Sequence, residues 1–188
     1  MAVAALGQGV TAAAHEPDEV LAARHDVASF TELYERHVGV VYRYLAGRVS
    51  TREEAEDLTS ESFQRAWSGW RAYRGKGTFR AWLFGIVRRT LADFYRRRTP
   101  SVSLQRDLAE ALEDERIGPE DSLVRWERAR EGQALLNTLK ADQQEILCLR
   151  FLADLTYAEI AQVVGKREEA VKKIAYRAID ELQRRQTE

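Results

Sequence analysis

The chain predicts an all-α fold made of two small helical domains joined by a flexible acidic linker, and three observations predict it. Apolar residues recur at helical spacing through most of residues 28–98 and again over much of 119–188. Ser or Thr followed three residues later by Glu precedes several of these runs, the signature of a helix N-terminus. Between the two periodic blocks lies a polar, acidic stretch that opens on Thr99-Pro100 and closes on Gly118-Pro119. The division that follows is a disordered N-terminal tail over 1–27, a first domain over 28–98, a linker over 99–118 and a second domain over 119–188.

Residues 1–27 are rich in Ala, Gly and Val with no sustained period and a proline at 17, and they read as a mobile tail. A first helix begins near Ser29, with Ser29 and Glu32 as a capping pair, and its apolar face runs Phe30, Leu33, Tyr34, His37, Val38, Val41, Tyr42 and Leu45. Ser50 and Glu53 form a second capping pair. The helix they open turns Ala55, Leu58, Thr59, Ser62, Phe63, Ala66 and Trp67 inward, and presents Glu54, Asp57, Glu61, Gln64 and Arg65 to water.

The stretch Thr78–Arg98 anchors the first domain. Phe79, Trp82, Leu83, Ile86, Val87, Leu91 and Phe94 make one apolar stripe, and on a 100° wheel the opposite face carries Arg80, Phe84, Arg88, Arg89, Tyr95 and Arg96, with Arg97 and Arg98 at the end. The spacing predicts a helix that shows water a row of cations with two rings among them. Cations bind phosphate whatever the sequence, and exposed rings stack on unpaired bases. The preceding loop, residues 68–78, adds Trp70, Tyr73, Arg71, Arg74 and Lys76 around three glycines.

Net charge is only −1, yet residues 71–98 hold nine Lys and Arg against the single Asp93, and residues 99–121 hold two arginines against seven acids. A basic surface meant for a polyanion stands next to a tether that avoids one. Cys148 is the only cysteine, so no disulfide forms within the chain, and its place between Leu147 and Leu149 marks it as a packing residue. His15, His25 and His37 have no metal-ligand spacing, and His37 reads as a satisfied core histidine. No metal or other cofactor is expected. No long apolar run or secretory signal is present, so the expectation is a cytoplasmic protein without membrane insertion.

In the second domain, Leu123, Trp126, Leu135, Leu136 and Leu139 read as core contacts of one helix, and Ile146, Leu147, Leu149 and Phe151 as the apolar side of the next. Thr156 and Glu159 cap a short helix that ends at Gly165, and a last helix runs from about 167 to 185. A short helix, a tight turn and a longer helix make a helix-turn-helix packed through Ile160, Ala161, Val164, Val171, Ala175 and Ile179. The second helix then offers Lys166, Arg167, Glu168, Lys172, Lys173, Tyr176 and Arg177 to a DNA groove.

Several motifs in this order resemble the small two-domain extracytoplasmic-function (ECF) group of bacterial RNA polymerase sigma factors of the sigma-70 class. FTELYERHVGVVYRYLAGRV and EAEDLTSESFQRAW, with Asp57, Leu58, Glu61, Phe63, Ala66 and Trp67, match its first conserved region. TFRAWLFGIVRRTLADFYRRR matches its promoter-melting segment, and LTYAEIAQVVG with Val171, Lys172, Arg177, Ala178 and Leu182 matches its C-terminal helix-turn-helix. Ser60, Gln64, Ala170, Ile174 and the turn Lys166–Glu169 depart from commoner choices in the group, which bears on the promoter sequence rather than on the cationic face.

The resemblance implies that residues 28–98 are sigma region 2 and 119–188 region 4. It implies that Glu54, Asp57, Glu61, Gln64 and Arg65 dock on the clamp helices of the polymerase β′ subunit. Trp70, Tyr73, Arg74, Lys76, Arg80, Phe84, Arg88, Arg89, Tyr95, Arg96, Arg97 and Arg98 would bind and melt the minus-ten element. Lys166, Arg167, Glu168, Lys172, Lys173, Tyr176 and Arg177 would read the minus-thirty-five element, while the apolar helix near Phe151 meets the β-flap. Partners are then core RNA polymerase, promoter DNA and an anti-sigma factor, with a monomer when free of them. No step needs a catalytic residue, so the chain is not expected to be an enzyme. The rivals are a sigma-like adaptor that binds an anti-sigma factor without reading promoters, a dimeric helix-turn-helix repressor, and a hydrolase or transferase, for which no catalytic constellation appears.

Overall fold

The computed structural model describes residues 16–98, 136 and 138–187. Among them the chain forms seven α-helices and no strand, in the order α1 (Asp18–Arg24), α2 (Val27–Ala46), α3 (Arg52–Gly69), α4 (Phe79–Arg98), α5 (Ala141–Phe151), α6 (Tyr157–Val164) and α7 (Glu168–Thr187), with a 3₁₀ turn at Trp70–Ala72. The linker and the expected helix around Leu123, Trp126 and Leu135 lie outside the described residues.

Residues 1–15 of the expected N-terminal tail lie outside the described residues, while residues 18–24 instead form α1. Asp18 and Glu19 sit in its first turn and Arg24 in its last, matching the helix dipole, and His25 closes it in left-handed backbone at φ 54°. Its anchor is tertiary. Leu21 and Ala22 are buried, and the Asp18 carboxylate binds Arg36 at 2.9 Å and His37 Nε2 at 2.7 Å. Burial alone would raise the Asp18 pKa, but His37 and Arg36 outweigh it and hold it low. His37 is thus the satisfied core histidine the sequence suggested.

Two helix starts also shift. Asp26 caps α2 by accepting from Ser29 N at 2.8 Å, so the helix begins at Val27 and Ser29 lies inside its first turn. In α3 the reciprocal cap is Thr51 with Glu54, one residue later than Ser50 with Glu53, and the Glu54 carboxylate takes the amides of both Ser50 and Thr51. The Thr156–Glu159 box on α6 and the left-handed Gly165 that ends it, at φ 68°, stand where the sequence placed them.

Helices α2, α3 and α4 pack around Leu33, Val41, Leu45, Ala55, Leu58, Ala66, Leu83 and Val87, all nearly solvent-free. Each buried Leu or Val among them contributes about 1.5–3 kcal/mol relative to exposure. Trp67, expected inside, is half exposed and packs edge-on to Phe30. Helices α5, α6 and α7 close a second unit over Ile146, Leu149, Ile160, Val171, Ala175 and Ala178, with Cys148 buried beside them.

The two units pack against each other. Helix α6 lies along α4, and the buried residues of both form one continuous cluster. Leu152 Cδ1 comes so near Gly47 that a Cβ there would stand 2.6 Å away. Asp154, at φ 52°, turns the chain out of α5 in the left-handed conformation that Asp tolerates.

Candidate nucleic-acid interface

The apolar stripe of α4 is laid out as its spacing demands, with Phe79, Leu83, Val87 and Leu91 buried and Trp82, Ile86 and Phe94 partly so. Thr78 caps the helix by accepting the Ala81 amide at 3.1 Å, and the Glu19 carboxylate takes the otherwise orphaned Phe79 amide at 3.4 Å. The opposite face is where the structure departs from the wheel. Phe84 is 0% exposed, set edge-to-face on Tyr44 with centroids 5.6 Å apart. A single-helix projection cannot see the second unit, and that unit covers this face.

The loop rings are also inside. Trp70 is 2% and Tyr73 5% exposed, in an aromatic cluster with Phe30, Phe79, Trp82 and His25. Their large apolar area outweighs the exposure that a glycine-rich loop would allow. The Trp70 indole N–H is buried with no hydrogen-bond partner among the described residues. Tyr95 is half buried, its hydroxyl donating to the Arg48 carbonyl. Rings expected to face water at 70, 73 and 84 are therefore core residues.

The cations fare differently. Arg71, Arg74 and Lys76 are exposed on the loop, where Gly75 and Gly77 adopt positive φ of 67° and 80°. Arg89 and Arg88 are exposed on α4. Arg96, Arg97 and Arg98 reach water but also pair with acids: Arg96 with Asp93, Arg97 with Glu61 at 3.3 Å, and Arg98 with Glu54. Arg65 joins the same ladder, bridging Glu61 at 2.6 Å and Asp93 at 2.7 Å. Bonds from Arg65 and Arg96 hold the Asp93 carboxyl below its ordinary pKa. Of the residues expected to dock a protein, Asp57 and Gln64 are exposed, whereas Glu54, Glu61 and Arg65 are engaged in this ladder.

Arg80 does not point to solvent. Its Nη2 donates to the carbonyls of Ala153 at 3.0 Å and Asp154 at 2.7 Å, and Arg43 Nε donates to Leu152 O at 2.8 Å. These carbonyls follow the C-terminus of α5, the negative end of its dipole. About two helical turns earlier, Glu145 gathers Arg48 at 2.6 Å, the Tyr44 hydroxyl at 3.1 Å and Arg88 Nε at 3.3 Å. Burial works against the Arg48 charge, but Tyr44 and Glu145 outweigh it and raise its pKa. Burial, then the Glu145 charge, pushes the Tyr44 hydroxyl well above its ordinary value, so it stays a donor. Thr78 donates to Glu159 at 3.0 Å, and any side chain at Gly77 would strike Gln162. A cleft of about 390 Å³ remains between the units, lined by Arg48, Arg88, Arg89, Tyr95, Glu145 and Lys166 among others. No sequence signal marked Glu145 or Arg48, because their role depends on which helices meet.

On α7 the expected reading face is open. Arg167, Lys173 and Arg177 are exposed, and Tyr176, at 57%, leans on Tyr157 with centroids 6.1 Å apart. Lys172 is held by Glu168 at 2.6 Å and Lys166 by Asp142 at 3.0 Å. Phe151, at 62% exposure, protrudes from the end of α5. No described helix is long and apolar enough to cross a membrane.

A helix-turn-helix with its second helix turned to solvent, joined to a helical unit edged with arginines, defines a DNA-binding protein of two helical parts. Comparison with known proteins supplies the family. Residues 33–100 match sigma-70 region 2 and residues 135–184 match sigma-70 region 4. The chain is 40% identical over 162 residues to the ECF RNA polymerase sigma factor BldN of Streptomyces coelicolor, covering 83% of this chain and 60% of that one. It is 30% identical over 163 residues to the RNA polymerase sigma factor YlaC of Bacillus subtilis, covering 85% of this chain and 92% of that one. The sigma factor RpoE of Bartonella quintana, solved with the anti-sigma factor NepR, shares the fold with a TM-score of 0.61 at 21% identity, over 84% of this chain and 96% of that one. The chain belongs to the ECF sigma factors of the sigma-70 family.

Proposed function

We propose that the chain directs core RNA polymerase to promoters by dividing the work between residues 28–98, which dock on the β′ clamp helices and open the minus-ten element, and residues 119–188, which read the minus-thirty-five duplex. The acidic residues 99–118 would join them along the path of nascent RNA. The observation that carries this reading is the pairing of two cationic surfaces on separate helical units, one of them a helix-turn-helix with Arg167, Lys173, Tyr176 and Arg177 turned outward.

Docking falls to the outer face of α3, where Asp57 and Gln64 are exposed, and contact with the β-flap to Phe151. With Trp70, Tyr73 and Phe84 inside, holding the opened strand falls first to the backbone-binding cations Arg74, Lys76, Arg88 and Arg89. Any base stacking then requires a buried ring to be released. The resemblance to a sigma factor solved with NepR supports control by an anti-sigma factor here too. The test is transcription with purified core polymerase. Arg88→Glu with Arg89→Glu should abolish promoter opening, read by permanganate reactivity, while the protein still co-purifies with core. Normal opening by the double variant would remove Arg88 and Arg89 from this role, whereas a wild-type chain that binds core but opens no promoter would favour the adaptor reading.

A further inference from the structure

We propose that the free chain holds itself closed through Glu145, a carboxylate that sits on the first unit in the manner of a DNA phosphate and competes with the minus-ten strand for the same cations. The inference deepens the sigma-factor reading and rests on it. Two donors and a further cation converge on this one side chain: Arg48 and the Tyr44 hydroxyl, from α2 and its end, donate to it, and Arg88 from α4 forms an ion pair with it. That is how proteins seat a phosphate, with charge-assisted bonds from more than one direction. The Arg43 and Arg80 guanidiniums meet the carbonyls of residues 152–154 in the same interface, and Thr78 meets Glu159. Arg80 and Arg88, two of the residues expected to hold the minus-ten strand, are thereby occupied by the second unit.

The masking is one-sided. Of the expected reading residues, Arg167, Lys173 and Arg177 are exposed, while Lys166 lines the cleft between the units. The closed chain can therefore meet duplex DNA through Arg167, Lys173 and Arg177, while α4 meets an opened strand without the full use of Arg80 and Arg88. Closure is intramolecular, so it acts at any protein concentration. A partner that binds the two units apart opens it only by the difference in its affinity for the two states.

The experiment compares the full chain with Glu145→Gln, with the charge-neutral swap Arg48→Glu plus Glu145→Arg, and with Glu35→Gln as a matched charge change on an exposed site. Small-angle scattering reads closure, and fluorescence anisotropy reads affinity for a 20-nucleotide oligo-dT strand and a random 20-bp duplex. Glu145→Gln should enlarge the radius of gyration and tighten oligo-dT binding about tenfold, because the competent fraction rises. Duplex affinity should change no more than in Glu35→Gln, and the swap, which rebuilds the 48–145 bridge but sets a cation beside Arg88, should restore compactness and weak strand binding in part. Scattering and strand affinity in Glu145→Gln equal to those of Glu35→Gln would overturn the proposal. An intact scattering response in a chain that gives no promoter-specific transcripts with core polymerase would instead remove the sigma-factor reading and leave the clasp standing.

Discussion

Phe84 separates the packing seen here from the simple wheel projection of α4. On the wheel it is an exposed ring among arginines, and an exposed ring lost to Ala changes stability by no more than about 0.5 kcal/mol. In the structure its side chain is solvent-free and set edge-on to Tyr44 at 5.6 Å. Truncating a buried Phe costs about 3–5 kcal/mol, transfer and cavity included. For a domain of this length each kcal/mol moves Tm by roughly 2–4 °C, so Phe84→Ala should melt roughly 6–20 °C lower. Arg89→Ala, one helical turn on and exposed, should melt within about 2 °C of wild type by the same conversion. Thermal melts by circular dichroism decide it. A Phe84→Ala protein that melts with wild type while failing to hold an opened strand would refute the packing argument and return the ring to the surface.

Two further outcomes follow from charge. Lys173→Ala with Arg177→Ala should lessen the dependence of log K on log salt for duplex binding by about two, at about 0.9 per phosphate contact; an unchanged slope means these side chains do not reach the backbone. Burial alone would raise the Glu159 carboxyl, but the Thr156 amide and hydroxyl and the Thr78 hydroxyl outweigh it and hold it low. A depressed folded pKa adds stability that is complete above the unfolded value, about 4.3, and is lost as pH falls through the folded one. Wild type should therefore lose more Tm than Glu159→Gln between about pH 5 and about pH 3, and equal losses would mean that the cap bonds do not favour the ionised carboxyl.

Helices were legible wherever a period lasted four turns or a cap was unambiguous. The α4 stripe, the Thr156–Glu159 box and the Gly165 turn each rest on interactions within a few residues of themselves. The capping pairs of α2 and α3 slipped because Asp26 and Thr51 are equally good caps close by, taking the amides of Ser29 and Glu54, and only the final backbone chooses between neighbouring caps. Helix α1 was invisible for another reason. Seven residues carry no period, and what fixes them is Asp18 reaching residues 36 and 37. The candidate site suffered most from the same gap. Helix periodicity says which side of α4 faces its own bundle, but nothing in it says whether the other side faces water or a second bundle.

The arginines at the end of α4 make the same point in electrostatic form. Read along the chain, the acids of α3 and the cations of α4 belong to different partners, a polymerase surface and a DNA backbone. Folded, they face each other: Glu54 meets Arg98, Glu61 meets Arg97 and Arg65, and Asp93 meets Arg65 and Arg96. Neither set can be engaged without consequence for the other. A basic surface that takes Glu61 leaves Arg97 and Arg65 with fewer competitors, and phosphate that takes Arg97 leaves Glu61 available. By linkage the two binding events must favour each other by the same factor. Exposed ion pairs exchange partners at little cost, which suits a surface that has to hold its charges in place before either partner arrives and give them up when both do.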